Sequence, residues 1–361
     1  LNLALKIKNC GHEVYILTKD TGRFNMLRDL GLIPLNINFD RSGTNLLKEL
    51  NLIRRIRRSI LKFQPDLIHN VTIKPVIYGT IAARGLSTVK IVNAISGLGY
   101  NFIDGRAGFT QKIILKLMKF AFKRKVNFIF QNPDDLSLFK YFGFLIDNDY
   151  RIIKGAGVDE NLFPYNDPSL NGKLTVLFLG RLLKDKGIVE YFEAAKKLQD
   201  EWVNKVNFVA MGDVDFENPA SISIKELNSF LVPDYIIWRR FEENVVDSLI
   251  ESDIVCLPSY REGLPKSLIE AMAVGRPIIT TDVPGCRECV ENGYNGFLVP
   301  SKDINSLSIQ LSNLLKNDKL RLSMGVNSRQ KMINELSLSQ VIRETFDFYS
   351  FILGVDLDQR I

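Results

Sequence analysis

Two histidines and four cysteines among 361 residues leave little from which to build a metal centre. The cysteines stand at 10, 256, 286 and 289. Cys286 and Cys289 form a C-x-x-C pair, but no second pair exists to close a tetrahedral zinc site. A redox pair or two reduced thiols remain, and the second is the ordinary state of a cytosolic chain. No apolar run approaches the roughly 20 residues of a membrane-crossing helix. No basic motif with stacking aromatics marks a nucleic-acid module, so nucleic acid is not an expected partner. The net charge of +6 is read instead as affinity for phosphates or an anionic surface. The apolar and charged fractions, 46% and 24%, are those of an ordinary globular protein long enough for two separate cores.

The informative stretch is Ile254–Asp282, IVCLPSYREGLPKSLIEAMAVGRPIITTD. Ile254–Leu257 is a short apolar run, the mark of a buried strand. Pro258–Pro265 is turn-rich. Lys266–Val274 consists of helix formers and is closed by Gly275. Pro277–Thr281 is a second β-branched strand. Strand, loop, helix and strand in this order make the unit of a parallel doubly wound sheet, whose ligands lie at strand carboxyl ends. Chemistry is therefore expected between Ser259 and Pro265. Glu262 precedes the helix and Glu270 lies inside it, and at a helical rise their eight-residue separation spans about 12 Å. The spacing suits two ends of one ligand rather than a shared proton. It also suits a helix-start carboxylate followed by a Lys266–Glu270 surface pair, and the residues alone do not choose. A second loop invites an anion. Leu174–Leu179 reads as a buried strand, followed by Gly180-Arg181, then Lys184, Lys186 and Gly187. Arginine grips a diphosphate bidentately and lysine adds a point charge; the same residues also read as solvated loop charge.

Glu262-x7-Glu270 within PSYREGLPKSLIEAMAVGRPII resembles the signature of the retaining glycosyltransferases of family 4, which have the GT-B fold. FLGRLLKDKG (Phe178–Gly187) and GCRECVENGYNGFLVP (Gly285–Pro300) extend the likeness. NVTIKPVIYGTIAAR (Asn70–Arg84) and GDVDFENPAS (Gly212–Ser221) are similar to a bacterial subgroup that adds N-acetylhexosamines to undecaprenyl-diphosphate-linked sugars. The resemblance implies two Rossmann-like domains facing a cleft: residues 1–155 for the acceptor and 156–335 for the nucleotide-sugar. Residues 336–361 then form a terminal helix crossing back to the first domain. It implies a hexosyltransferase that needs no cofactor or metal and uses a UDP-sugar as donor. Arg181 and Lys186 would hold the diphosphate, with Gly180 beside them. Glu262 would face the donor sugar, and Glu270 would take the ribose hydroxyls. Gly263 and Leu264 would line the same site, and no residue is nominated as a covalent nucleophile. The implied acceptor is a lipid-diphosphate-linked sugar, and the implied location is the inner face of the plasma membrane. Rival readings are a UDP-sugar epimerase or hydrolase of the same fold, a phosphorylase (although no pyridoxal lysine is marked), or a non-catalytic sugar-nucleotide-binding protein.

Two departures from the family stand out. Many members carry a histidine near Ile95–Asn101, where this chain has Ser96, Gly97 and Gly99. Relatives often carry a glycine a few residues past the strand Tyr235–Trp238, where this chain reads Trp238-Arg239-Arg240-Phe241. The start also differs: Leu1–Asn9 reads as a helix before a strand at Glu13–Leu17, whereas family members begin with a strand and a glycine-rich loop. The expectation is that the native N-terminus, with part of the acceptor pocket, is not in this sequence.

Further expectations concern single segments. His69 falls where a strand, Asp66–His69, ends, so it reads either as a site residue or as one satisfied by neighbouring backbone. His12 reads as a solvated turn residue. Gln111–Val126 reads as a basic amphipathic helix. Ile113, Ile114, Leu117, Met118, Ala121 and Phe122 form its apolar stripe, with lysines around it, and contact with an anionic membrane is expected there. Arg54, Arg55, Arg57 and Arg58 read as the solvated face of a core helix. Asp215, Glu217 and Asn218 form an acidic loop whose spacing fits no calcium loop. Gly285–Val290 is expected to start a helix.

Overall fold

A computed structural model describes residues 1–38, 46–98, 109–146, 148–168 and 172–357. Gly99, the second glycine of the ISGLGYN turn, lies outside the described residues.

The first half alternates helix and strand: α1 (Asn2–Asn9), β1 (Tyr15–Thr18), α2 (Phe24–Asp29), β2 (Ile33–Asn36), α3 (Leu46–Phe63), β3 (Leu67–Val71), α4 (Ile73–Ala82), β4 (Lys90–Ile95), α5 (Phe109–Ala121), β5 (Asn127–Phe130), α6 (Pro133–Tyr141) and β6 (Tyr150–Ile152). β3 to β6 form a parallel sheet in sequence order, and β1 pairs with β2 in a separate parallel ribbon. Helices α3, α4 and α5 close one face through Leu52, Ile56, Val76, Ile77 and Met118.

The second half contains β7 (Leu174–Leu179), a 3-10 turn (Lys184–Lys186), α7 (Ile188–Trp202), β8 (Val206–Met211), α8 (Ile224–Phe230), β9 (Ile236–Arg239), α9 (Val246–Ile250), β10 (Ile254–Leu257), α10 (Lys266–Ala273), β11 (Ile278–Thr281), β12 (Gly296–Val299), α11 (Ile304–Lys316), α12 (Asp318–Glu335) and α13 (Leu338–Leu353). Its six parallel strands run in the order β12-β11-β10-β7-β8-β9. The chain winds outward from β7 through β9, then returns to β10 on the other side of β7. That reversal opens a crevice at the carboxyl ends of β7 and β10. β10 and β11 are buried at every residue, as their unbroken apolar and β-branched runs require when helices cover both faces.

The terminal helix returns to the first half. Val341, Phe346, Phe348 and Tyr349 of α13 pack with Val92, Ala94, Ile129 and Ile153 of the first-half sheet. Both histidines serve this return. His69 lies inside β3 rather than at its end, and its Nδ1 is hydrogen-bonded to the Tyr349 hydroxyl. The two rings meet edge to face at 5.8 Å. His12 Nε2 lies 3.4 Å from the Leu357 carbonyl oxygen. His69 therefore serves the packing of the returning helix: its Nδ1 meets a distant tyrosine rather than neighbouring backbone, and its buried Nε2 has no partner among the described residues.

Two other expectations change. α5 ends at Ala121, and Met118, Ala121 and Phe122 of its supposed membrane stripe are buried in the core. Arg124, just beyond it, turns inward to the carbonyls of Ala83, Leu86 and Val89. The stripe is mainly the ordinary packing face, and only Ile113 and Phe120 remain as large exposed apolar residues among the lysines. Gly285–Val290 forms successive turns instead of a helix. Gly285 has φ +79°, and a Cβ there would sit 2.5 Å from the carbonyl oxygens of Glu262 and Gly263. The segment is wrapped against that loop too tightly to leave it as a helix.

Candidate functional site

The β7–α7 loop and the β10–α10 loop flank the crevice and are joined directly. The Tyr260 N–H donates to the Asp185 carbonyl (2.8 Å), and the Tyr260 hydroxyl donates to Glu190 Oε1 (2.5 Å). Lys186 Nζ is ion-paired with Glu262 Oε1, which also accepts from Ser259 Oγ at 2.8 Å. Thr281 Oγ1 holds the Ser259 carbonyl from β11. Gly187, with φ +75°, lets the start of α7 pass under Pro258, whose carbonyl a Cβ would strike. The sequence-predicted Lys186 and Glu262 are thus brought together, from positions 76 residues apart.

Arg181 stands at the open edge of the same crevice. Its Nη1 lies 2.9 Å from Asp215 Oδ2, and its side chain is half exposed. The acidic loop read from the sequence thus supplies a counter-charge for Arg181. Asp185 lies among Lys186, Arg181 and Glu262; burial raises its carboxyl above the ordinary range, while Lys186 pulls it back. The backbone glycine that the geometry demands here is Gly212, not Gly180. A Cβ on Gly212 would collide with the Gly180 carbonyl oxygen, whereas one on Gly180 would meet only ordinary contacts.

Glu270 lies in α10, buried, with Lys266 Nζ at 2.8 Å. The i, i+4 pair allowed by the sequence does form. Its carboxylate side is only 10% exposed against 64% for the lysine, so Glu270 faces inward beside the crevice rather than lying on an open surface. Leu264 packs against the second-half core, and a Cβ on Gly155 would collide with it. Cys286 is fully buried; desolvation, with the Glu262 charge as the next cause, pushes its thiol up to about 12. Among the described residues, no group of three or more His, Cys, Asp or Glu side chains is arranged to hold a metal ion.

The first half presents its strand carboxyl ends to this loop. The Ser96 carbonyl and the Gly97 amide lie against Gly263, where a Cβ would collide with both; Gly97 itself has φ +101°. Asn132 Nδ2, at the start of α6, donates to the Gly263 carbonyl at 2.8 Å. Arg261 is ion-paired with the fully buried Asp135, and Arg287 reaches Asp134 at 3.0 Å. Sequence reading missed Asn132, Asp135 and Arg261. Asn132-Pro133 was visible as a helix cap, since Asn at the cap and Pro at the first helical position are preferred there, but nothing local says what else that cap touches. Farther out, Arg23 and Glu243 approach to 2.9 Å from opposite halves, both exposed.

The family described as Glycosyl transferases group 1 matches residues 166–331, and that described as Glycosyl transferase 4-like matches residues 1–132. The N,N'-diacetylbacillosaminyl-diphospho-undecaprenol alpha-1,3-N-acetylgalactosaminyltransferase of Campylobacter jejuni is 31% identical over 338 residues, covering 90% of this chain and 87% of that protein. The UDP-Gal:alpha-D-GlcNAc-diphosphoundecaprenol alpha-1,3-galactosyltransferase of Escherichia coli is 25% identical over 350 residues, covering 93% and 88%. Among solved structures, Anabaena HepE in complex with UDP superposes with a TM-score of 0.77 at 17% identity, covering 94% of this chain and 100% of that one. Sucrose-phosphate synthase from Thermosynechococcus elongatus gives 0.80 at 17% identity, covering 98% and 92%.

Proposed function

The chain belongs to the group 1 and 4-like glycosyl transferases, enzymes of GT-B fold, and from that premise we propose a retaining transfer of a hexosamine from a UDP-sugar to a lipid-diphosphate-linked glycan. Residues 156–335 bind the donor, residues 1–155 receive the acceptor, and residues 336–361 tie the second domain back to the first. Arg181 and Lys186 hold the diphosphate and stabilise the charge that grows as UDP departs. Glu270 accepts hydrogen bonds from the ribose hydroxyls. Glu262 orients the sugar, with Gly180, Gly263 and Leu264 shaping the walls. The acceptor hydroxyl attacks the anomeric carbon on the face that UDP leaves, and its proton passes to a donor phosphate oxygen. Lys186 and Ser259 fix Glu262 through its Oε1, an arrangement that suits a carboxylate orienting the sugar.

The observation that carries this reading is the placing of Arg181, Lys186 and Glu262 on the two loops flanking the β7/β10 crevice, with Glu270 in the helix that follows the second loop, opposite the strand ends of the other domain. The acceptor class follows the printed activities of the two bacterial transferases. Such an acceptor places the protein at the inner face of the plasma membrane, and no described helix is long and apolar enough to cross it. The exposed edge of α5, with Lys112, Lys116, Lys119, Ile113 and Phe120, suits contact with anionic lipid.

Thermal unfolding with UDP, GDP, UDP-N-acetylglucosamine and UDP-N-acetylgalactosamine tests the donor. A ligand of the native state raises Tm by mass action. UDP ligands are expected to do so, and Glu270→Ala to abolish the shift. A shift with GDP alone overturns the donor assignment. Labelled UDP-sugar incubated with and without lipid-linked acceptor then separates transfer from epimerisation or hydrolysis.

A further inference from the structure

Glu262 is fixed from two sides, and one of them belongs to the other domain. Within its own domain the carboxylate meets Lys186 and Ser259, and its N–H donates to the Pro284 carbonyl at 3.1 Å. The residues immediately before and after it are held by the first turn of α6. Arg261 pairs with Asp135 Oδ1, and the Gly263 carbonyl accepts from Asn132 Nδ2 at 2.8 Å.

The gripping residues have no slack. Asn132 Oδ1 caps α6 by accepting from the Asp135 N–H at 2.8 Å, and Asn132 Nδ2 also reaches Asp135 Oδ2 at 3.1 Å. Both oxygens of Asp135 are therefore used, one by Arg261 and one by Asn132. Asn132 and Asp135 are wholly buried, and the Arg261 side chain is 10% exposed. A buried ion pair gives little net stability over an apolar substitute, but breaking it strands a charge, so it defines a geometry more than it strengthens an interface. Gly97 and Gly263 remove the side chains that would otherwise keep the backbones apart. The tie forms only when the two domains stand in this register.

We propose that Asn132 and Asp135 are positioning residues for sugar transfer: through Arg261 and Gly263 they couple the register of the acceptor domain to the place of Glu262 in the donor site. The proposal rests on the reading of Glu262 as a donor-site residue. It gives the enzyme a reason to react only when closed. In an open arrangement Arg181, Lys186 and Glu270 still bind nucleotide, but the loop between them is held at one end only.

The test compares wild type, Asp135→Asn and Arg261→Lys as full chains. Asp135→Asn keeps the shape of the cap and removes the charge that Arg261 meets; Arg261→Lys keeps charge and loses the planar fork. Amide exchange of residues 259–265, measured without ligand, is expected to quicken by about tenfold in either variant as the local opening becomes easier. Turnover is expected to fall by about 100-fold, the usual effect of a displacement near 1 Å. The Kd for UDP should stay within about threefold, and the double variant Asp135→Asn/Arg261→Lys should lose less than the two single changes added together, because coupled residues are non-additive. Unchanged exchange, unchanged turnover, or a fall in turnover matched by lost UDP affinity each overturns the proposal. If Glu262→Gln retains full turnover, the donor-site reading falls, while the exchange arm still decides whether the tie holds the loop. If Glu262→Gln is inactive and Asp135→Asn is fully active with a protected loop, the coupling alone is wrong.

Discussion

At the scale of single residues, the basic pair separates binding charge from structural charge. Arg181 is half exposed and its side chain pairs with Asp215, so its loss should leave the fold almost intact, within about 0.5 kcal/mol. Arg181→Ala is expected to lower kcat by about two to three orders of magnitude while its unfolding midpoint stays near wild type. Near-normal turnover would remove Arg181 from the diphosphate site. The cysteines allow a second residue-scale prediction. All four are buried, and burial raises the thiols of Cys256, Cys286 and Cys289. The thiolate is the reactive form, so an alkylating reagent at neutral pH should label none of them until the chain unfolds. Labelling of Cys286 or Cys289 in the native protein would mean that the loop opens far more readily than its packing implies. The strand–loop–helix units that carry Arg181, Lys186, Glu262 and Glu270 were legible in sequence from glycine turns and helix formers, but the choice of those four residues came from family likeness. Asp135 was not, because its meaning depends on Arg261, 126 residues away. Nor was the need for glycine at 212, which arises from the approach of two parallel strands.

At the scale of elements, α13 is the piece whose attachment has a pH signature. Burial lowers the His69 pKa from 6.5 to about 4, so the folded chain keeps this imidazole neutral where the unfolded chain would protonate it. Between those values the unfolded state binds the extra proton. The contribution is therefore full above pH 6.5 and is lost as pH falls towards 4, by about 3 kcal/mol. Denaturant unfolding of wild type and His69→Phe at a series of pH values should show a smaller acid slope in the variant; equal slopes would mean that His69 is solvated. The start of α13 has a backbone lock as well. Gly157 has φ +70°, and a Cβ there would lie 2.6 Å from the Leu338 Cα. Gly157→Ala should therefore destabilise by more than the roughly 1 kcal/mol of a tolerated glycine change, read as a lower Tm. The helix itself was legible from its apolar period, and its return to the first domain from family likeness, but not its contact with His69. α8 was overlooked although Ser223 and Glu226 have the spacing of a capping box; the Glu226 N–H donates to Ser223 Oγ at 3.1 Å, while the Glu226 carboxylate pairs with Lys184. At Gln111–Val126 the apolar stripe was correctly seen and wrongly assigned, since periodicity reports that one face is buried and not what buries it.

At the scale of the whole molecule, the surplus of positive charge has to be reconciled with that correction. With the stripe of α5 largely in the core, the proposed membrane contact rests on the lysine-bearing edge left outside: Lys112, Lys116 and Lys119, with Ile113 and Phe120 between them. Arg84 stacks over Phe120 at 4.2 Å, so that aromatic ring is held at the surface rather than folded inward. Two exposed apolar residues are too few to bind a neutral bilayer strongly, so the interaction should be chiefly electrostatic. Each lysine near an anionic surface contributes about 1 kcal/mol. Replacing Lys112, Lys116 and Lys119 with glutamate should then weaken partitioning onto anionic vesicles by about 100-fold or more, at 1.4 kcal/mol per tenfold. The wild-type protein should also release as salt rises, because the screening length contracts from about 10 Å at 0.1 M to about 3 Å at 1 M. Co-sedimentation with vesicles of neutral and mixed anionic composition measures both effects. Equal binding to neutral and anionic vesicles, or full binding by the triple variant, would detach α5 from the membrane reading. UDP binding by that variant should be unchanged, since none of the three lysines lies on the β7–α7 or β10–α10 loop. A lost UDP response would instead mean that the substitutions had disturbed the fold.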